Sequence, residues 1–278
     1  MTSPLWPAQM HHFRLNSSQP ERLVEWYGKA CGMASRKAGD GLWHLAGPRR
    51  RLLVGEGADE TVAFVAFALD DADRLAALQA RLKDLPLEES PSPLFGNAAF
   101  AVRDPDGLLL VFGVPLPGHD EHATKDGIAG RTQHIVFAST DPVRQQGFYG
   151  DRLGFLTSDE VYDGDKLMAC FMRSDPEHHS FASFRCPEVR YDHQALECDN
   201  WNDIRDWADH LAMMRVPMWW GPGRHGPGNN LFAMVRDPDG NRLEFSAEME
   251  VFADDDPVRT WPHEAHTLNL WGTAWMRS

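Results

Sequence analysis

Along this chain, hydrophobic and polar positions fall into a two-residue period in some stretches and a three-to-four-residue period in others, and the same succession comes round twice. His12-Phe13-Arg14-Leu15 and His134-Ile135-Val136-Phe137 each open a strand. Pro20 and Pro142, Tyr27 and Tyr149, and Gly32 and Gly154 follow, every pair 122 positions apart. Proline in a first helical turn and glycine beyond the last turn predict helices near 20–31 and 142–152. Each copy continues with a strand pair (Gly41 to Val54; Lys166 to Phe184) and an apolar strand (Thr61 to Ala68; His193 to Cys198). A second helix follows, with Leu75, Leu78 and Leu82 in one copy and Ile204, Trp207, Leu211 and Met214 in the other at core-facing spacing. Asp199-Asn200 offers an N-cap, and Pro86 and Pro217 end these helices. Both copies close on Arg-Asp-Pro-Asp-Gly, at 103–107 and 236–240, a tight turn into a last strand.

The predicted fold is therefore α+β, a βαβββ module with an extra helix in each of two tandem domains, 5–115 and 131–250. Residues 116–130, rich in Gly and Pro, read as a solvated linker carrying His119 and His122. Residues 251–278, with Trp261, Trp271 and Trp275, are too aromatic to hang free and are expected to pack over the rest.

Composition narrows the function. Lys and Arg number 27 against 41 Asp and Glu, a balance of −14, which argues against a nucleic acid or an anionic membrane as partner. The sequence has no apolar run of membrane-spanning length and no secretory leader, so a cytoplasmic location is expected. Cys31, Cys170, Cys186 and Cys198 lack CxxC spacing, so free thiols are expected and structural zinc is not.

Candidate chemistry sits in the second copy. In Asn241-Arg242-Leu243-Glu244-Phe245, Glu244 faces away from Leu243 and Phe245, and a carboxylate placed on a buried strand needs a cationic partner. Taken singly, Glu244 reads as a solvated hairpin residue, His134 as a polar residue at a strand start and His193 as exposed. Taken together, at matching positions of a repeated module, they supply the two imidazoles and one carboxylate of a facial triad for non-haem Fe(II). The first copy keeps His12 but has apolar residues near Val62 to Phe64 and Val111 where His193 and Glu244 would be, so it is read as a structural partner.

Paired modules carrying His134, His193 and Glu244, with Gly221-Pro222-Gly223-Arg224-His225-Gly226 before the second pentapeptide, resemble the type I extradiol ring-cleaving dioxygenases of the vicinal oxygen chelate superfamily. They are similar in particular to the homoprotocatechuate 2,3-dioxygenase subgroup. The resemblance implies Fe(II), or less often Mn(II), held by His134, His193 and Glu244. It implies O₂ and an aromatic diol as partners and the opening of the diol's ring. It implies an acid–base role for His179, fourteen residues before His193, with His178 beside it as the alternative holder. His225 corresponds to a histidine near the substrate, or else serves only its loop. Phe171 corresponds to an aromatic wall, or else to plain core. Trp220 and Arg224 fall among the substrate contacts, and a homo-oligomer and a C-terminal lid are expected.

Two departures stand out. Ten residues before Glu244, where the family has a tyrosine hydroxyl on the substrate, this chain has Met234, which cannot donate. The subgroup's carboxylate-binding arginines are also missing, with Trp220 in one place and Leu268 or its neighbours in the other. That predicts a pocket without cations and an apolar or bulky diol as substrate. Met234 leaves open a metal-dependent isomerase or lyase of the same superfamily, and the paired-module cleft leaves open a metal-free ligand-sequestering protein.

Overall fold

The computed structural model describes residue 3 and residues 5–277. The first half runs β1 (Gln9–Ser17), α1 (Pro20–Ala30), β2 (Ala34–Gly39), β3 (Leu42–Gly47), β4 (Arg50–Glu56), β5 (Val62–Ala68), α2 (Ala72–Arg81), β6 (Leu87–Glu89), β7 (Phe100–Arg103) and β8 (Leu109–Gly113). The second repeats it as β9 (Arg131–Ser139), α3 (Pro142–Gly147, extended by a π-helical turn to Leu153), β10 (Leu156–Asp163), β11 (Lys166–Arg173), β12 (Phe181–Arg185), β13 (Arg190–Cys198), α4 (Trp201–Met213), β14 (Trp220–Arg224), β15 (Leu231–Arg236) and β16 (Arg242–Ala247). The tail adds β17 (Arg259–Pro262) and α5 (Ala265–Leu268).

Each half is thus two βαβββ units on one continuous sheet, ordered β2-β3-β4-β1-β5-β8-β7-β6 and β14-β15-β16-β13-β9-β12-β11-β10-β17. What sequence periodicity read as an extra helix is the helix of a second unit. The strands it passed over include β2, a polar sheet-edge strand with no fully buried residue, which shows no two-residue alternation. The main hydrophobic cluster draws on both halves, and Phe67 of the first meets Phe155 of the second edge-on at 5.4 Å between ring centres.

The segment expected to be a solvated linker packs down on the first half. Asp120 accepts from Arg51 at 2.5 Å, and the Thr124 hydroxyl donates to the Gly32 carbonyl at 2.6 Å. The tail is likewise part of the second sheet, since β17 pairs with β10. Among the described residues no helix is long and apolar enough to cross a membrane.

Sheet register equates the halves residue by residue. His134 pairs with Ala195, which pairs with Glu244; His12 pairs with Ala66, which pairs with Val111. Val136 pairs with His193 as Arg14 pairs with Phe64. The triad positions of the first half are therefore His12, Phe64 and Val111. That face is filled by hydrocarbon, with Leu53, Phe64, Leu94, Phe95 and Val111 in one buried cluster. Each such buried side chain stabilises the fold by roughly 1.5–3 kcal/mol.

Candidate metal centre

Three central strands of the second sheet carry His134, His193 and Glu244, all at least 96% buried. Glu244 Oε2 lies 3.2 Å from His193 Nε2 and 3.8 Å from His134 Nε2. Among the described residues these are the one group whose three ligand atoms lie within 4.8 Å of one another.

The atoms behind the imidazoles decide what those nitrogens present. His134 Nδ1 is bonded to Gln133 Oε1, and His193 Nδ1 to Asp192 Oδ1 at 2.6 Å. An amide or carboxylate oxygen can only accept, so both Nδ1 atoms carry a proton, and in the neutral imidazoles both Nε2 atoms then present lone pairs on the Glu244 side. Two lone pairs and an anionic oxygen converging in a buried site repel one another unless a cation stands among them, and this donor set fits a divalent ion. Burial disfavours charge on Glu244, and without a cation its carboxyl is held well below the usual range by protons on the two Nε2 atoms facing it, the place a metal ion would take. Its other oxygen accepts from Asn230 Nδ2 at 3.2 Å.

Gln133 and Asp192 reach the imidazoles because each is a β-bulge. The register between β9 and β13 skips one residue between Thr132 and His134 and one between Tyr191 and His193. A bulge turns its extra residue toward the side its neighbour faces, and here it places an acceptor beside each histidine ring. The first half keeps both bulges, at His11 and Ala63, without the acceptors. There His11 Nδ1 meets His12 Nδ1 at 2.8 Å and His12 Nε2 meets the Ser92 hydroxyl at 2.7 Å. His119 and His122 stand in the same region against the carbonyls of Leu116 and His44.

A small cavity of about 30 Å³ opens over the triad, walled by Val136, Phe171, Phe184, Trp220 and Leu268, with His179, His225 and Arg277 the polar groups besides the triad. The His178–His179 pair is buried, and both rings lie behind or over the centre. His178 Nε2 is 2.9 Å from Asp159 Oδ2, and the two Nδ1 atoms meet at 2.9 Å. With the Nε2 proton of His178 turned to a carboxylate, His178 Nδ1 accepts from His179 Nδ1, so His179 Nε2 carries a lone pair. Burial, with His134 and His178 close by, holds the His179 imidazole well below its ordinary pKa and therefore neutral. His225 donates from Nδ1 to the Leu268 carbonyl at 2.6 Å, and its Nε2 lies 4.0 Å from Glu244 Oε1. Burial brings its pKa down to about 4.

Phe171 and Trp220 line the cavity; Met234 and Arg224 do not. Met234 pairs with Glu244 across β15 and β16 but is fully buried. Arg224 turns away to Glu248 at 2.7 Å. The expectation of a cavity without cations is corrected by Arg277, whose guanidinium grips both oxygens of Asp192 at 2.9 and 3.0 Å. Eighty-five positions separate the two, and nothing in either stretch of sequence links them. Gln133 and Asp192 each immediately precede a candidate ligand, and that adjacency was the available signal for them.

The model of the Glyoxalase/Bleomycin resistance protein/Dioxygenase superfamily matches residues 131–245, the stretch that holds all three candidate ligands. The second half of the chain is thus similar to that superfamily. Metapyrocatechase 2 of Cupriavidus necator is 24% identical over 238 residues, 74% of this chain and 73% of that protein. An iron-dependent extradiol dioxygenase of Rhodococcus jostii is 27% identical over 150 residues, 50% of this chain and 49% of that one. A manganese-dependent 2,3-dihydroxybiphenyl 1,2-dioxygenase of Geobacillus genomosp. 3 is 30% identical over 154 residues, 52% of this chain and 49% of that one. The likeness of fold extends to both halves. The structure of homoprotocatechuate 2,3-dioxygenase from Arthrobacter globiformis superposes with a TM-score of 0.83 at 21% identity, covering 99% of this chain and 91% of that one.

Proposed function

We propose that this protein is an extradiol dioxygenase that opens the ring of an apolar catechol with O₂ at Fe(II) held by His134, His193 and Glu244, with Mn(II) as the alternative metal. The observation that carries this is the convergence of two imidazole Nε2 atoms and a carboxylate under an aromatic-walled cavity that also presents the imidazoles of His179 and His225. Bound there, the metal would supply a Lewis-acidic site for both diol oxygens and a place for O₂ beside them. The rest falls to the chain. His179 takes a proton at Nε2, and the Asp159 carboxylate behind His178 stabilises the resulting charge. His225 offers an Nε2 acceptor on the Glu244 side of the cavity. Phe171, Phe184 and Leu268 exclude water and favour a flat apolar ring. Four free, buried cysteines are in keeping with a reducing cytoplasm.

Loading the protein anaerobically with Fe(II) and adding a neutral alkyl- or aryl-catechol in air-saturated buffer tests this with an oxygen electrode. One O₂ consumed per diol is expected. A second reading, a metal-dependent isomerase or lyase, is favoured by Met234, since no hydroxyl stands opposite Glu244 on β15. That chemistry consumes no O₂, so the same electrode separates the two.

A further inference from the structure

The tail reaches back to the metal centre through one residue. Arg277, 8% exposed, lines the cavity and holds Asp192 with two nitrogens at 2.9 and 3.0 Å. Asp192 is buried, and the oxygen that accepts from Arg277 Nη2 also accepts from His193 Nδ1 at 2.6 Å. The next cation, Arg190, stands 3.8 Å from the other oxygen. The guanidinium is itself packed face-on, 3.8 Å from the Phe184 ring centre and 4.3 Å from that of Trp275. Trp275 lies edge-on to Trp219 at 4.7 Å, and Trp220 Nε1 donates to the Thr273 carbonyl at 2.8 Å. The tail is thus docked by aromatic contacts and ends on a charge that a buried carboxylate requires.

We propose that Arg277 is a positioning residue of the metal centre, a two-pronged clamp that fixes the plane of the Asp192 carboxylate and through it the ring of His193, so that tail docking and metal holding are one linked equilibrium. This rests on the metal reading of His134, His193 and Glu244. A planar guanidinium holds a carboxylate in one orientation, as a single ammonium cannot. The imidazole bonded to that carboxylate then keeps its Nε2 aimed at Glu244. By linkage, whatever the docked tail contributes to metal affinity, bound metal returns to tail docking.

Mn(II) supplies the probe, because its free ion is counted directly by electron paramagnetic resonance. Arg277→Gln is expected to raise the Mn(II) dissociation constant about 10-fold with an unchanged circular dichroism spectrum, the low end of what partners behind a ligand contribute. Arg277→Lys should recover part of that loss. Mn(II) should also slow chymotryptic cleavage at Trp271, which is 55% exposed, in the unaltered protein and not in Arg277→Gln. A folded Arg277→Gln protein with unaltered Mn(II) affinity overturns the proposal, as does tail cleavage indifferent to Mn(II) in the unaltered protein. If the unaltered protein binds no Mn(II), Fe(II) or Co(II), the metal reading itself fails and the coupling with it.

Discussion

Tyr27, on the first helix of the first half, donates its hydroxyl to Asp237 of the second half at 3.1 Å. Tyr149, on the matching helix of the second half, donates to Asp104 of the first at 3.3 Å. Asp104 and Asp237 are the second residues of the two Arg-Asp-Pro-Asp-Gly turns, whose glycines sit at φ +90° and +94°. Arg22 and Arg144 repeat the reciprocity, each donating to the proline carbonyl of the opposite turn, at 3.2 and 2.7 Å. The repeated pentapeptide is therefore the socket into which each half receives the other's first helix. This explains why the first half, which has no triad, retains it.

Burial makes these sockets sensitive to pH. It pushes the Asp237 carboxyl up to about 7 and that of Asp104 up to about 6, against hydrogen bonds that favour the charged form. A folded-state pKa above the unfolded one means that the folded chain retains protons the unfolded chain has lost. The stabilisation is present below about pH 4 and declines as pH rises toward 7. Buried histidines such as His179 and His225, held below their ordinary pKa, act in the opposite direction, so the decline is read as the difference between the unaltered metal-free protein and Asp237→Asn in urea unfolding between pH 4.5 and 7.5. Asp237→Asn, which cannot titrate, should flatten it by roughly a few kcal/mol; parallel curves for the two proteins would rule it out.

Gln133 fixes the His134 ring from behind and donates to the His179 carbonyl at 2.8 Å. Gln133→Leu removes the acceptor while preserving bulk. Metal affinity is expected to fall 10- to 100-fold, read by Mn(II) titration, and loss of the donor to the buried His179 carbonyl should cost the metal-free protein about 1–3 kcal/mol. Unaltered affinity would show that the bulge residue does not hold the ligand.

His179 and His178 separate in kinetics. His179→Asn should lower kcat about 10²- to 10⁴-fold, the range for a lost proton-transfer group, while Mn(II) affinity stays within about threefold, since His179 is no ligand in this account. His178→Asn, which interrupts the link to Asp159, should cause a smaller loss in kcat with KM nearly constant. Steady-state oxygen uptake measures both. Equal, large losses in Mn(II) affinity would make the pair structural supports of the centre.

Substrate charge follows from the same contacts. The cavity's one arginine spends its charge on Asp192, and the remaining walls are aromatic or aliphatic. An acetate-bearing catechol would enter with no free cation to meet it, at a desolvation cost of several kcal/mol. Neutral alkyl- or aryl-catechols should therefore exceed homoprotocatechuate in kcat/KM by at least tenfold. A preference for the charged compound would mean that Arg277 turns from Asp192 to the substrate.

The repeat was legible because proline, tyrosine and glycine mark each first helix at constant spacing, and the convergence of His134, His193 and Glu244 was legible because they fall at corresponding places in a repeated unit. The polar strand β2 was not, because a sheet edge imposes no burial on alternate residues. The bulges at Gln133 and Asp192 were hidden too, since an extra residue breaks the alternation used to assign a side chain to a face. Arg277 was out of reach because its partner is far away in sequence and only the folded tail brings them together. Met234 stands where the resembled family has a tyrosine, yet the folded chain keeps it out of the cavity wall.

The central claim is that His134, His193 and Glu244 together hold one divalent ion. Iron content after anaerobic Fe(II) loading and desalting tests it most directly, for the unaltered protein and for Glu244→Ala and His193→Ala. The account predicts one iron per chain in the first and well under a tenth in each variant, with folding intact by circular dichroism. One iron per chain retained in either variant would contradict it.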